Sequence, residues 1–232
     1  MSPSTNQARL APLAPITVVT GHYGTGKTNF SLNLALHAKS AGQDVTVMDV
    51  DIVNPYFRSS DYTQMLEAQG IRVVAPVMAQ TMLDTPSLPP AMNVAIQTAS
   101  AEKPLIIDMG GDDEGAKAMG RFAERIKTRP DAYTMYYVVN ERREIETPEE
   151  TAAMLREIEE RCKLEATAVV NNTHLSEETT LEVVGASVPF AQETARILNL
   201  PLACTTVPAA SIEDARVPSP FPVQRIVRMP WE

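Results

Sequence analysis

Short apolar runs rich in β-branched residues alternate along the chain with longer stretches in which apolar residues recur every three or four positions. The first kind predicts buried strands and the second amphipathic helices, and their alternation is the signature of βαβ units around a parallel sheet. Strands are expected at 16–20, 45–49, 71–75, 104–108, 133–140, 166–171 and 203–207. Helices are expected at 27–41, 61–68, 91–101, 115–127, 148–162 and 189–198. The helix from Pro148 is strongly marked: Thr147 at its N-cap, Pro148 in the first turn and Glu150 three residues after Thr147 form a capping box. The expected fold is α/β, a single three-layer domain whose mostly parallel central sheet of about seven strands is flanked by helices.

The 232 residues suffice for one well-buried α/β domain. Residues 1–15, rich in Ala, Pro, Ser and Thr, lack the apolar core of a signal peptide and read as a flexible leader. The domain is expected over 16–210. Residues 211–232 read as a docked tail, because Pro222 and Pro230 confine any helix there to about two turns. The Pro-rich stretch 85–90 reads as a loop. Twenty-nine acidic residues against twenty basic give a net charge of −9. With no dense basic run, general binding to nucleic acid or anionic lipid is disfavoured. Cys162 and Cys204 form no C-x-x-C pair, which argues against a disulfide framework or a zinc site and favours a reducing, cytoplasmic setting. No apolar run is long enough for a transmembrane helix. His37, on the first expected helix, reads as boundary packing, and His174 as a loop residue more often structural than in contact with ligand.

One segment turns this scaffold into a site. Gly21-His22-Tyr23-Gly24-Thr25-Gly26-Lys27-Thr28 fits G-x-x-x-x-G-K-[ST] at every fixed position and lies between an expected strand and an expected helix. Such a loop curls its backbone N–H groups around phosphate oxygens at the positive end of the following helix. Lys27 is then placed to neutralise the β and γ phosphates, and the Thr28 hydroxyl to ligate Mg²⁺. The acidic strand ends supply the rest. Leu105-Ile106-Ile107-Asp108 is an apolar strand closed by a carboxylate, a Walker B pattern toward Mg²⁺, and Met109-Gly110-Gly111 extends it to Asp-x-x-Gly. The other acidic strand ends in Asp49 and Asp51, with Asp49 expected near the metal and Asp51 expected to orient the attacking water. Arg58 is a weaker candidate for stabilising charge.

These segments resemble the deviant Walker A ATPases of the MinD/ParA group, which includes the nitrogenase iron protein and nickel-insertion ATPases. The resemblance covers about residues 16–210 and rests on GHYGTGKT, on MDVDIVNP as switch I and on LIIDMGG as switch II. Within the group, the pairing of GHYGTGKT with DVDIVNPYFR is most similar to bacterial and archaeal members described as ATP-binding proteins. The resemblance implies that Asn171 reads the adenine edge and that the loop Thr206-Val207-Pro208 packs against the base, with Pro208 in contact. It also implies ATP and Mg²⁺ as cofactors, slow hydrolysis and an unidentified protein partner. In one respect the chain departs from the group: the signature lysine that reaches a partner's phosphates is replaced here by His22, so an ATP-dependent homodimer stays open. Three functions remain: an ATP-driven switch, a small-molecule kinase or ligase like the dethiobiotin synthetase relatives, and a non-hydrolysing adaptor. In the second, the 85–90 loop and the acidic run Gly110 to Glu114 would hold substrate.

Overall fold

The computed structural model describes residues 13–51, 58–76, 90–131, 133–143 and 147–228. Its strands are β1 (Ile16–Thr20), β2 (Thr46–Asp49), β3 (Arg72–Val74), β4 (Leu105–Asp108), β5 (Thr134–Val139), β6 (Ala168–Asn171), β7 (Leu202–Pro208) and β8 (Pro220–Val223). They form one sheet in the order β3-β2-β4-β1-β5-β6-β7-β8, and every pairing is parallel. Because all strands point the same way, their carboxyl ends share one edge. Chain order reverses about β1, which lies between β4 and β5, and that is where open α/β sheets place a ligand crevice.

Two apolar layers sandwich the sheet. On one face α1 (Lys27–Ser40) and α2 (Thr63–Ala68) pack through Phe30, Leu34, Ala38 and Leu66 against Val19, Val47 and Val170. On the other lie α3 (Pro90–Thr98), α4 (Asp113–Gly120), α5 (Ala123–Lys127), α6 (Pro148–Cys162) and α8 (Val188–Leu198), packed on Val18, Ile107 and Val169. A short α7 (Leu181–Ala186) precedes α8. Alternate residues of each strand thus serve different layers, as the pleat requires.

The architecture expected from the pattern is present, with local differences. The helix expected over 115–127 is two helices: Gly120, where a β-carbon would stand 2.9 Å from the Arg161 carbonyl oxygen, brings α4 close to the end of α6 before the chain turns. The capping box at Thr147 forms as expected, with Glu150 N–H donating to Thr147 Oγ1 at 3.2 Å. An eighth strand, β8, exceeds the expected seven. Its prolines Pro220 and Pro222 concealed it, yet they suit an edge strand, which has a side that needs no ladder hydrogen bonds. After β8 the chain runs along α1, where Asn29 and Asn33 receive it. Asn29 Oδ1 accepts from Ile226 N–H at 2.9 Å, Asn33 Oδ1 accepts from Gln224 N–H at 2.8 Å, and both amides donate back to the Gln224 carbonyl. Leu13, expected within the leader, is buried in the α1 layer. The rest of the leader up to residue 12, most of the expected loop at 85–90, residues 52–57 and residues 229–232 lie outside the described residues.

Candidate nucleotide site

At the carboxyl edge of the sheet, the loop from Gly21 to Gly26 links β1 to α1. Gly24 and Gly26 adopt left-handed backbone (φ 77° and 84°), a conformation that Cβ-bearing residues rarely reach. Gly26 is also crowded: a β-carbon there would lie 2.5 Å from Asn172 Nδ2 and 2.9 Å from His174 Nε2. The His22 carbonyl gathers donors from this loop, namely Thr25 Oγ1 at 2.9 Å and Lys27 Nζ at 3.2 Å. Burial lowers the pKa of Lys27, while the charges of Asp108, Asp51 and Asp112 oppose that shift.

The two acidic strand ends are neighbours, because Asp49 and Asp108 pair in register between β2 and β4. Asp49 is fully buried, and both of its oxygens accept backbone hydrogen bonds, from Asp51 N–H and from Ser60 N–H, each at 3.0 Å. It therefore clasps the two flanks of the 52–57 segment, a role that competes with the metal role expected for it. Burial raises the pKa of Asp49. Asp108 accepts from Ser31 Oγ at 3.2 Å through one oxygen, while its other buried oxygen has no hydrogen-bond partner. Burial and the neighbouring Asp49 charge push the Asp108 pKa up to about 7, against the pull of Lys27 and Thr28. Asp51 lies nearer solvent and lines the adjoining cavity. The loop after β4 closes on these groups: a β-carbon at Gly110 would stand 3.3 Å from Asp51 Cγ, and one at Gly111 would stand 1.9 Å from the Gly21 carbonyl oxygen. Only glycine fits at position 111, so the two acidic loops and the phosphate loop are in mutual contact.

Thr28 and Asp108 fit a Mg²⁺ ion. The donors are hard oxygens, one carboxylate oxygen is buried without a partner, and the Asp49 and Asp108 carboxylates crowd one another. Mg²⁺ needs few protein ligands beside phosphate and water. Among the described residues no cluster of three or more His, Cys, Asp or Glu offers a complete protein cage for a metal.

Beside this centre is a cavity of about 260 Å³. Tyr23, Gly24, Gly26, Lys27 and Thr28 form its floor, and Pro208 with Val207 forms part of an apolar wall. Of the other expected loop residues, Gly21, His22 and Thr25 shape the loop from behind, and Tyr23 is 60% exposed.

Asn171 is placed differently from the expectation. It is fully buried, donates to Ser187 Oγ at 2.9 Å and accepts from Thr173 Oγ1 at 2.9 Å, and it is not part of the cavity lining. The reason is strand parity: Asn171 shares the face of Val169, toward α8, whereas Asn172 shares that of Val170, toward α1 and the phosphate loop. Asn172 lines the cavity, donates to the Thr25 carbonyl at 2.7 Å and accepts from Thr206 Oγ1 at 2.7 Å.

The acidic run after Gly111 is spent on structure. Asp112 caps α4 by accepting from Gly115 N–H at 2.8 Å, Asp113 pairs with Arg161 at 2.8 Å, and Glu114 pairs with Lys117 at 2.9 Å. Arg58 opens the 3-10 turn after the 52–57 segment and is not among the cavity lining. Cys162 and Cys204 are both buried free thiols.

Reading motifs alone missed Asn29, Asn172, Arg143 and the C-terminal residues Val223, Arg225, Val227 and Arg228, all of which line the cavity. Alternation along β6 could have singled out Asn172. Asn29 directly follows the phosphate-loop motif, while Arg143 and the C-terminal residues come from segments with no phosphate-binding pattern. Among the described residues, the lining includes Lys27, Arg143, Arg225 and Arg228 against one carboxylate, Asp51, although the chain as a whole carries a net −9. A basic cleft in an acidic protein suits a polyanion.

Comparison with known proteins agrees with this geometry. The structure is similar to signal recognition particle receptor FtsY from Elizabethkingia anophelis in complex with GDP, with a TM-score of 0.54, 20% identity and coverage of 83% of this chain and 56% of that one. It is also similar to signal recognition particle 54 kDa protein from Aeropyrum pernix K1 in complex with GDP, with a TM-score of 0.55, 12% identity and coverage of 86% and 43%. Chloroplast FtsY from Physcomitrella patens is similar at a TM-score of 0.53 and 17% identity, with coverage of 84% and 60%. At such identities the likeness is one of fold, and the chain spans about half the length of these proteins. No curated protein sequence matches. The CobQ/CobB/MinD/ParA nucleotide binding domain matches residues 16–195, a span holding the phosphate loop and both acidic strand ends, and the chain belongs to that family.

Proposed function

We propose that the protein is a Mg·ATP-binding P-loop ATPase that acts as a nucleotide-dependent switch toward a partner protein. The observation that carries this reading is the contact of three loops at one point: Asp51 lies against Gly110, and Gly111 lies against the carbonyl of Gly21. Any change at the phosphate end of the cavity is therefore felt by both acidic loops, which is the coupling a switch requires. Lys27 and the N–H groups around Gly24 and Gly26 hold the phosphates, Thr28 and Asp108 hold Mg²⁺, and Asp51 orients the water. When bound, the ion offsets phosphate charge. Asp49 keeps Asp51 in place through the backbone of the loop.

A purine other than adenine is the second reading. The Asn171 side chain expected to read adenine is occupied within the protein, and two of the similar structures were determined in complex with GDP. Phosphate release from Mg·ATP and from Mg·GTP, with the mass in solution followed in parallel, tests both. ATP-specific release that disappears in Lys27→Ala supports the proposal. Release unaltered by Lys27→Ala overturns it, and GTP-specific release transfers it to guanine.

A further inference from the structure

The phosphate loop itself brings one cation, Lys27, to a ligand whose negative charges are concentrated on adjacent phosphates. Two segments remote in sequence bring more. Arg143, in the turn after β5, lies along the loop: a β-carbon at Gly24 would stand 3.5 Å from its Cδ and Nε and 3.8 Å from its Cζ. Arg225, in the C-terminal segment laid along α1, lines the same cavity. It pairs with Glu177 at 2.7 Å, a carboxylate whose side chain is 83% exposed. Between the two stands His174, close enough to Gly26 to exclude a β-carbon there. Burial and the charges of Arg143 and Arg225 push its pKa down to about 4, so His174 is neutral near pH 7 and the guanidinium groups are the fixed charges of this arc.

We propose that Arg143 and Arg225 form a two-arginine clamp over the phosphate loop that binds the phosphates of the nucleotide in addition to Lys27. The proposal rests on the nucleotide-binding reading above. Guanidinium groups match phosphate oxygens with paired N–H donors. The ion pair to so exposed a carboxylate as Glu177 competes only weakly with phosphate. Both arginines come from the chain that carries the loop.

The test is calorimetric titration of wild type, Arg143→Ala, Arg225→Ala and the double variant with Mg·ATP, Mg·GTP and the two unphosphorylated nucleosides. Arg216→Ala, a surface arginine outside the cavity lining, serves as control. The expected result is about tenfold weaker triphosphate binding for each single variant and a larger loss for the double variant. Nucleoside affinity and the unfolding temperature without ligand should stay unchanged. Wild-type affinity in both single variants overturns the clamp and leaves the nucleotide reading standing, as does an equal loss for nucleoside and triphosphate. If the wild type binds neither triphosphate, the nucleotide reading itself fails and the clamp with it.

Discussion

At the residue scale, Asp51 is the group whose position says most about chemistry. It faces the cavity, touches the loop after β4, and is tethered through its own N–H to Asp49. Asp51→Asn removes the charge and keeps the shape, so nucleotide affinity should hold within a few-fold while single-turnover phosphate release falls by about 10²-fold or more. Gly111→Ala should act otherwise. Its methyl group must push the loop after β4 off the Gly21 carbonyl, so both affinity and turnover should drop together in a calorimetric and kinetic comparison.

His174 supplies a pH signature. Its folded-state pKa is about 4, below the ordinary value of 6.5, so between those values the unfolded chain binds more protons. Stability from this group is complete above pH 6.5 and is lost as pH falls toward 4. Urea midpoints of wild type and His174→Gln should therefore diverge less at pH 4 than at pH 7. A constant gap across that range would show that His174 is not held neutral by the fold.

At the element scale, the C-terminal segment joins parts that are distant in sequence. Its β8 extends the sheet, Phe221 stacks edge-on against Phe30 and His37, and the following residues hang from Asn29 and Asn33 of α1. Arg228 N–H then donates to Tyr62 Oη, at the end of the 3-10 turn that Asp49 anchors. Asn29, adjacent to Thr28, thus connects the phosphate-loop helix to a wall of the cavity. Asn29→Ala should cost about 1–3 kcal/mol of stability, because partly buried N–H groups lose their acceptor. The same variant should weaken nucleotide binding by moving Val227 and Arg225. Phe221→Ala, deep in the α1 layer, should cost about 3–5 kcal/mol in equilibrium urea unfolding.

At the scale of the molecule, charge is segregated. A chain of net −9 sets four cations and one carboxylate, among the described residues, around one cleft, so the approach of a nucleotide is steered locally and opposed globally. The association rate measured by stopped flow should then depend on ionic strength less steeply than four lining cations alone imply, because screening weakens the repulsion as well. The prolines of β8 discourage a further strand at that edge of the sheet. Assembly through a continued sheet is therefore disfavoured on that side, and a homodimer would use another surface. Among the described residues no helix is long and apolar enough to cross a membrane.

The α/β class, the phosphate loop and the two acidic strand ends at Asp49 and Asp108 were legible in the sequence, because each rests on local chemistry; that β2 and β4 set the two side by side was not. Strand and helix periods differ, the loop needs glycines at particular positions, and a carboxylate after an apolar strand falls at the sheet's edge. The capping box at Thr147 is local in the same sense. Other features depend on which distant segments meet. Asn171 and Asn172 are chemically identical, and only the packing of α1 and α8 on opposite faces of β6 sends one inward and the other to the cavity. Ser31 and Asn33 break the apolar period of α1 because one meets Asp108 at the end of β4 and the other meets the C-terminal segment. Arg143 and Arg225 carry no motif; each is an ordinary arginine until the topology sets Arg143 beside the phosphate loop and Arg225 on the wall of the same cavity. Local sequence thus determined the elements and the phosphate-binding loop, whereas tertiary structure alone decided the walls and the charge of the cavity, since those come from contacts between residues far apart in the chain.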